Sequence, residues 1–246
     1  MSGWIAVAGL GPGADDLVTP QVREALAQAT DIVGYIPYVA RIAPREGLTL
    51  HASDNRVELD RARHALDLAA AGRRVVIVSS GDPGVFAMAS ALFEAVETAP
   101  GPEVADIRIL PGITAMLAAA ARAGAPLGHD FCAINLSDNL KPFEVIEQRL
   151  RHAARGDFAM AFYNPRSRAR PHQFARVLDV LREECGPDRL MIFARAVSTP
   201  DESLRTVTLA EATPEMADMR TVVLVGNSAT RRVGDWVYTP RGKAAP

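Results

Sequence analysis

The chain has 246 residues, of which 48% are hydrophobic and 23% charged, with a formal net charge of −2 at pH 7. That length accommodates one large or two smaller globular domains, each able to bury a core. The small net charge excludes a general attraction to nucleic acid or anionic membranes, and no apolar run approaches the roughly 20 residues of a membrane span. The two cysteines, Cys132 and Cys185, stand far apart without metal-ligand spacing, so no metal site is expected and a reduced, cytoplasmic setting is. The strand pattern opens at Trp4, and neither a signal nor a transit peptide is expected.

In chain order, residues 4–8 read as a short buried strand. Thr19 reads as a helix N-cap with Pro20 in the first helical position, and Val22, Ala25, Leu26 and Ala29 supply an apolar face. A second strand is predicted over 31–35. A helix follows over 56–71, with Leu59, Ala62, Leu66 and Ala69 on one side and Gly72 as its stop. Then come a strand at 75–78, a helix at 85–96, a strand at 107–110 and an alanine-rich helix at 113–122. This alternation predicts a mostly parallel sheet. The helical pattern stops around Gly124-Ala125-Pro126-Leu127-Gly128. Beyond it the pattern predicts strand 132–136, helix 143–154, strand 158–163, helix 171–184, strands 190–194, 204–209 and 221–225, and a polar tail. Two α/β domains are therefore expected, 1–124 and 128–246, with a ligand cleft between them.

Three strand-to-helix turns carry the chemistry of the first half. Gly9-Leu10-Gly11-Pro12-Gly13 has the glycine density of a dinucleotide fingerprint, but Ala14 stands where the last glycine belongs. Pro12 also removes a backbone donor that a pyrophosphate would need. The loop reads either as a tight structural turn or as the wall of a ligand cavity. Ser80-Gly81-Asp82-Pro83 ends a buried strand in small residues and one carboxylate. It reads either as a capped turn or as a holder of an amino-acid-like or ribose-like group. Pro111-Gly112-Ile113-Thr114-Ala115 is an ordinary helix start when taken alone. Three such turns at the ends of separate strands make a ligand site the better reading of the set.

In the second half, Asn135-Leu136-Ser137-Asp138-Asn139 is a polar strand exit. The loop Tyr163-Asn164-Pro165-Arg166-Ser167-Arg168-Ala169-Arg170-Pro171 follows another strand, and residues 165–176 hold four arginines and no acid. That loop is either a solvated basic surface or an anion-binding one, since arginine holds carboxylates with two parallel hydrogen bonds. His129 and His172 have no partner at a recognisable spacing and read as structural or surface residues. No Ser-His-Asp, Cys-His or metal constellation is present.

These segments, in this order over residues 4–230, resemble the tetrapyrrole (corrin/porphyrin) methyltransferases, which use S-adenosylmethionine. Gly-x-Gly-Pro-Gly and Gly-Asp-Pro are shared widely in that family. Narrower motifs are Gly81-Asp82-Pro83-Gly84-Val85-Phe86, Leu136-Ser137-Asp138, Tyr163-Asn164-Pro165-Arg166-Ser167, Arg170-Pro171-His172-Gln173, Asp218-Met219-Arg220-Thr221 and residues 124–131. They resemble its ring-contracting branch in cobalamin biosynthesis. The resemblance implies two α/β domains, S-adenosylmethionine in the cleft between them and a homodimer. It also implies methylation of precorrin-3B at C17 with contraction to precorrin-4, and S-adenosylhomocysteine as by-product.

Carried over by position, the cofactor contacts are Pro12, Ser80, Gly81, Asp82, Val85, Thr114, Ala115, Tyr163 and Asn164, with Val197 and Thr221 near the adenine. Relatives usually carry Asn-Ala-Gly where this chain reads Arg195-Ala196-Val197, and valine disfavours the positive φ that glycine allows. The substrate side is assigned Gly11, Gly13, Ser137, Arg166 and Arg168, then Arg231 and Arg232. Asp138 and Asn139, with Asp15 behind them, are the candidates for acid–base help in ring contraction. The next corrin-pathway enzyme is an expected partner; nucleic acid and membrane are not. The alternatives are the cobalt-factor III form of the same step, another methylase of the family, and a catalytically silent S-adenosylmethionine- or tetrapyrrole-binding module.

Overall fold

The computed structural model describes residues 3–54, 57–98 and 106–242. The chain divides into two compact units, Met1–Thr114 and Ala115–Pro246.

The first unit runs β1 (Trp4–Gly9), α1 (Pro20–Gln28), β2 (Asp31–Tyr35), α2 (Ile36–Val39), β3 (Thr49–Ser53), α3 (Glu58–Ala70), β4 (Arg74–Ser79), α4 (Met88–Thr98) and β5 (Asp106–Leu110). Its sheet has the order β3-β2-β4-β1-β5, and every neighbouring pair is parallel. The central strands are apolar on both faces because both are covered. Ala6, Ala8, Val76 and Val78 pack with Val22 of α1; Ile5, Val7, Val75 and Ile77 pack with Ala62, Ala65 and Leu92 of α3 and α4. Thr19 caps α1 by accepting the Val22 N–H at 3.4 Å, and Gly72, at φ 81°, ends α3.

The second unit runs α5 (Ala115–Ala123), β6 (Gly124–Ala125), β7 (Phe131–Asn135), α6 (Phe143–Arg155), β8 (Ala159–Tyr163), α7 (Gln173–Glu184), β9 (Leu190–Arg195), β10 (Ser203–Thr208), β11 (Thr221–Val225), β12 (Arg231–Val233) and β13 (Trp236–Tyr238). Its main sheet has the order β10-β9-β11-β8-β7. Here only β7–β8 is parallel, and the other three pairings are antiparallel. Helices α6 and α7 cover one face, with Ile146, Leu150, Phe174 and Leu178 against Met160, Phe162 and Phe193. Ala119, Ala120 and Ala123 of α5 pack on the other, against Ala161, Ala194 and Leu224.

Several expectations change. Helix α5 groups with the second unit, so the division falls after Thr114 rather than at residues 124–128. Its alanines are small enough to lie close on the second sheet. The apolar run from Val85 is not yet helical: Phe86 takes φ 53°, and α4 begins at Met88. Strand β3 escaped the sequence pattern because it is an exposed edge strand of polar character, and the expected polar tail contains the hairpin β12–β13. Arg56, the expected start of the helix predicted over 56–71, lies outside the described residues. Cys132 and Cys185 are half-buried free thiols, and burial pushes both thiol pKa values up. No helix among the described residues is long and apolar enough to cross a membrane.

Candidate functional site

In the first unit the chain leaves β1 toward β2 on one side of the sheet and leaves β4 toward β5 on the other. The carboxyl ends of these adjacent strands therefore release their loops in opposite directions, which is where α/β sheets open a crevice for a ligand. The two loops are bonded to each other: Gly11 N–H donates to the Gly81 carbonyl at 3.2 Å, and Gly81 N–H to the Gly11 carbonyl at 2.8 Å. The third turn closes against them. A Cβ on Gly9 would stand 2.5 Å from the Gly81 carbonyl oxygen and 2.8 Å from Gly112, and a Cβ on Gly112 would meet that oxygen closer still. Glycine at 9 and 112 is thus a packing requirement.

Asp82 locks the arrangement. One carboxylate oxygen accepts the Gly84 N–H at 2.8 Å and the other the Gly112 N–H at 3.0 Å. Gly11, Pro12, Gly13, Ser80, Gly81, Asp82, Val85 and Thr114 accordingly lie in three loops leaving the adjacent strands β4, β1 and β5. Ala115 opens α5 and falls in the second unit. Residues 9–13, 80–85 and 111–114 contain no lysine or arginine, and Asp82 is their one charged side chain.

Sequence reasoning missed two side chains that brace this edge. Arg41, just past α2, donates through Nη2 to the carbonyls of Leu10 at 2.9 Å and Gly13 at 3.0 Å, holding the first loop. Tyr38 hydrogen-bonds Ser80; burial, then Tyr35, pushes its phenol pKa up, against the opposing effect of Ser80, Arg61 and Arg41. Neither residue belongs to a motif, and only the packing of α2 against the strand ends brings them here. Asp15 has a largely exposed carboxylate 3.9 Å from Arg41.

In the second unit, one end of the sheet gathers the carboxyl ends of β7, β8 and β9 and the amino end of β11, with Asn135 opposite Tyr163 and Thr221 opposite Arg195. The Tyr163 hydroxyl accepts the Met116 N–H at 3.0 Å, at the start of α5. Asn164, at φ 54°, donates through Nδ2 to Asn135 Oδ1 at 3.0 Å, and that oxygen also accepts the Ser137 N–H. Asp218 organises the far side: it takes Arg195 Nε at 2.8 Å, the Thr221 hydroxyl at 2.8 Å and the Arg220 N–H at 2.8 Å. Burial alone would raise its pKa, but these bonds together hold it below the usual range. Val197 is buried in this turn, and the positive φ angles fall on its neighbours, Ala196 at 49° and Ser198 at 64°. The valine therefore introduces no backbone strain of its own. The Thr221 hydroxyl serves the Asp218 turn.

Asp138 and Asn139 follow Ser137 on an exposed loop, and Asp138 lies 3.9 Å from Arg170, another residue that motif reading had not ranked among the site arginines. Arg166 Nε donates to the Pro171 carbonyl at 3.2 Å, fixing the loop's shape, and Arg168 is exposed. Arg231 and Arg232 stand elsewhere, on the small sheet β12-β13-β6, where Arg231 Nε bonds the Tyr238 hydroxyl at 2.7 Å. His129 and His172 are exposed.

Glycine-bearing loops paired at the carboxyl ends of adjacent parallel strands, as here, are where an α/β fold binds a small organic ligand. The family model for the tetrapyrrole (corrin/porphyrin) methylases matches residues 5–213, and the chain belongs to that family. It is 51% identical to a precorrin-3B C(17)-methyltransferase of Sinorhizobium sp, over 98% of this chain and 97% of that protein. A crystal structure of the methyltransferase CobJ superposes with a TM-score of 0.96 at 79% identity, covering 97% of this chain and 100% of that one. The cobalamin biosynthesis protein CobIJ of Mycobacterium tuberculosis (strain ATCC 25618 / H37Rv) is 47% identical over 98% of this chain, which spans 48% of that protein's length.

Proposed function

We propose that this protein transfers a methyl group from S-adenosylmethionine to C17 of precorrin-3B and promotes contraction of the macrocycle to precorrin-4, with S-adenosylhomocysteine as by-product. The observation that carries the reading is near full-length identity of 51% to a relative named for that methylation. It works as a cytoplasmic homodimer, and the CobIJ-type chain, about twice as long, supports a second cobalamin-biosynthesis activity working beside it.

The residues present fit a sulfonium donor. Loops 9–13, 80–85 and 111–114 themselves offer backbone groups, the Ser80 and Thr114 hydroxyls and one carboxylate to a positively charged sulfur, while the Arg41 guanidinium beside the first loop is engaged by the Leu10 and Gly13 carbonyls. We assign cofactor contacts to Pro12, Ser80, Gly81, Asp82, Val85 and Thr114, and to Ala115, Tyr163, Asn164, Val197 and Thr221. S-adenosylmethionine supplies an electrophilic methyl whose departing thioether is neutral, so the protein's part in methylation is orientation rather than proton transfer. Gly9 and Gly112 let the loops close, and Asp82 and Arg41 set their register. Gly11, Gly13, Ser137, Arg166 and Arg168, then Arg231 and Arg232, face the substrate in this reading; the arginines suit its carboxylates.

Contraction is a separate task. A tertiary hydroxyl loses its proton and becomes a ketone as the ring carbon–carbon bond migrates to the neighbouring carbon that carries the lactone oxygen. That oxygen departs with the bonding pair as a free carboxylate, and the excised carbon stays attached outside the ring as an acetyl group. Asp138, assisted by Asn139, takes that proton in this reading, with Asp15 as the second acid. Incubation with isotopically labelled S-adenosylmethionine and metal-free precorrin-3B tests the whole proposal. The expected product is one methyl heavier and carries an acetyl group by NMR. Turnover of the cobalt-loaded macrocycle alone would reassign the substrate to cobalt-factor III, and binding without turnover would make the chain a silent module.

A further inference from the structure

We propose that Arg23, Arg41 and Arg45 form an anchoring subsite for peripheral carboxylates of the substrate macrocycle, in a groove of the first unit that no motif marks. The inference rests on the tetrapyrrole reading above. The groove encloses about 320 Å³ beside the first glycine loop. Leu10, Val18, Leu26, Ile42 and Leu48 give it an apolar wall, and Asp15 is the one acid among its lining residues.

What singles it out is how the arginines are held. Each is tethered through Nη2 alone, to backbone carbonyls: Arg23 to Asp15, Arg41 to Leu10 and Gly13, Arg45 to Leu26, Ala27 and Ala29. Among the described residues, the Nε and Nη1 groups of all three have no hydrogen-bond partner. The closest carboxylate contact is Asp15, 3.9 Å from Arg41. Three guanidinium groups are thus positioned in advance with N–H groups still to offer, which lowers the ordering cost of gripping a carboxylate. The volume suits one or two acetate or propionate arms, not a macrocycle. Because Arg41 also holds the Gly13 carbonyl, an arm seated here would place the ring edge against the glycine loop. The subsite therefore acts in substrate register and selectivity.

The test is equilibrium binding, read by absorbance, of porphyrins bearing eight, four and two peripheral carboxylates to the full chain. The wild type is compared with Arg23→Ala and Arg41→Lys. Arg23 lies on the exposed face of α1, so its removal spares the fold; Arg41→Lys keeps the charge but loses the fork, and its melting temperature is checked. Loss of one charged hydrogen-bonding group is expected to weaken binding of the eight-carboxylate ring roughly tenfold. The deficit should shrink as carboxylates are removed. Wild-type affinity in both variants, or an equal loss for every ring, overturns the proposal. So does displacement of the ring by micromolar inorganic phosphate, which would make this a site for free anions. If the wild type fails to methylate precorrin-3B yet binds rings in the arginine-dependent way, the proposed function falls and the subsite stands. If it methylates normally while both variants keep wild-type KM, the subsite alone falls.

Discussion

The Asp82 carboxylate accepts the backbone N–H of Gly112 at 3.0 Å, tying the loop after β4 to the loop after β5. Its other oxygen closes its own turn on Gly84, so a residue carried over as a cofactor contact is first a clamp. Asp82→Ala removes two charge-assisted bonds and is expected to cost about 2–3 kcal/mol. S-adenosylhomocysteine affinity should fall at least tenfold, as the loops lose register. Asp82→Asn keeps one acceptor and should fall between. Urea unfolding and calorimetric titration measure the two effects, and unchanged affinity in the alanine variant would remove Asp82 from the site.

Tyr163 connects β8 to the start of α5 through its hydroxyl and the Met116 N–H. Tyr163→Phe deletes the acceptor and leaves that amide in a partly buried place, for a cost of about 1–2 kcal/mol. The apolar ring is retained, so the core should be undisturbed. Denaturant midpoints with an unchanged m-value would establish this, and a loss of cofactor affinity larger than the loss of stability would place the hydroxyl in the site.

Asp31 is buried at the opposite end of the first sheet, held by Arg73 Nε at 2.7 Å, His51 Nε2 at 2.9 Å and the Thr30 hydroxyl at 2.7 Å. Burial by itself raises its pKa, but the bonds from Arg73, His51 and Thr30 overcome that, and the net shift is downward. A lowered folded-state pKa means stability that is complete above the unfolded value of about 3.9 and is lost as pH falls toward the folded value. Unfolding followed from pH 6 to pH 2.5 should show this loss, and Asp31→Asn should be weaker at pH 6 and flatter with pH. Parallel curves for the two proteins would rule Asp31 out as the source.

Asp138 stands on an exposed loop with Arg170 at 3.9 Å, where its carboxylate is accessible. If it takes the hydroxyl proton, Asp138→Asn should slow acetyl formation by roughly 10²–10⁴-fold, while methyl transfer continues. A methylated, uncontracted product by mass spectrometry and NMR is the expected result. Contraction at the normal rate in this variant would exclude Asp138 as the base.

Much of the fold was legible from local pattern. Strands β1, β2, β4, β8 and β11 announced themselves as buried apolar runs, and Thr19-Pro20 and Gly72 marked helix ends by chemistry that acts within one turn. The three glycine-bearing turns were recognisable because a strand that ends in small residues exposes its backbone. Helix α4 was misread at its start, since an apolar run does not reveal that Phe86 will adopt a left-handed φ. Edge strand β3 and the hairpin β12–β13 were invisible because exposed strands need no apolar alternation.

The sequence by itself determined which apolar segments are buried strands, which turns are built from glycine and aspartate, and which family the chain joins. All of these depend on residue type and short-range order along the chain. Only tertiary structure decided that β4 would lie beside β1, so that Gly11 and Gly81 bond each other, and that the second sheet would be largely antiparallel. It also decided that Arg41 would reach back to the first loop and that Ala196 and Ser198, rather than Val197, would take the left-handed angles. Those outcomes are set by pairing between segments tens of residues apart, whose energies leave no periodic trace in the residues themselves.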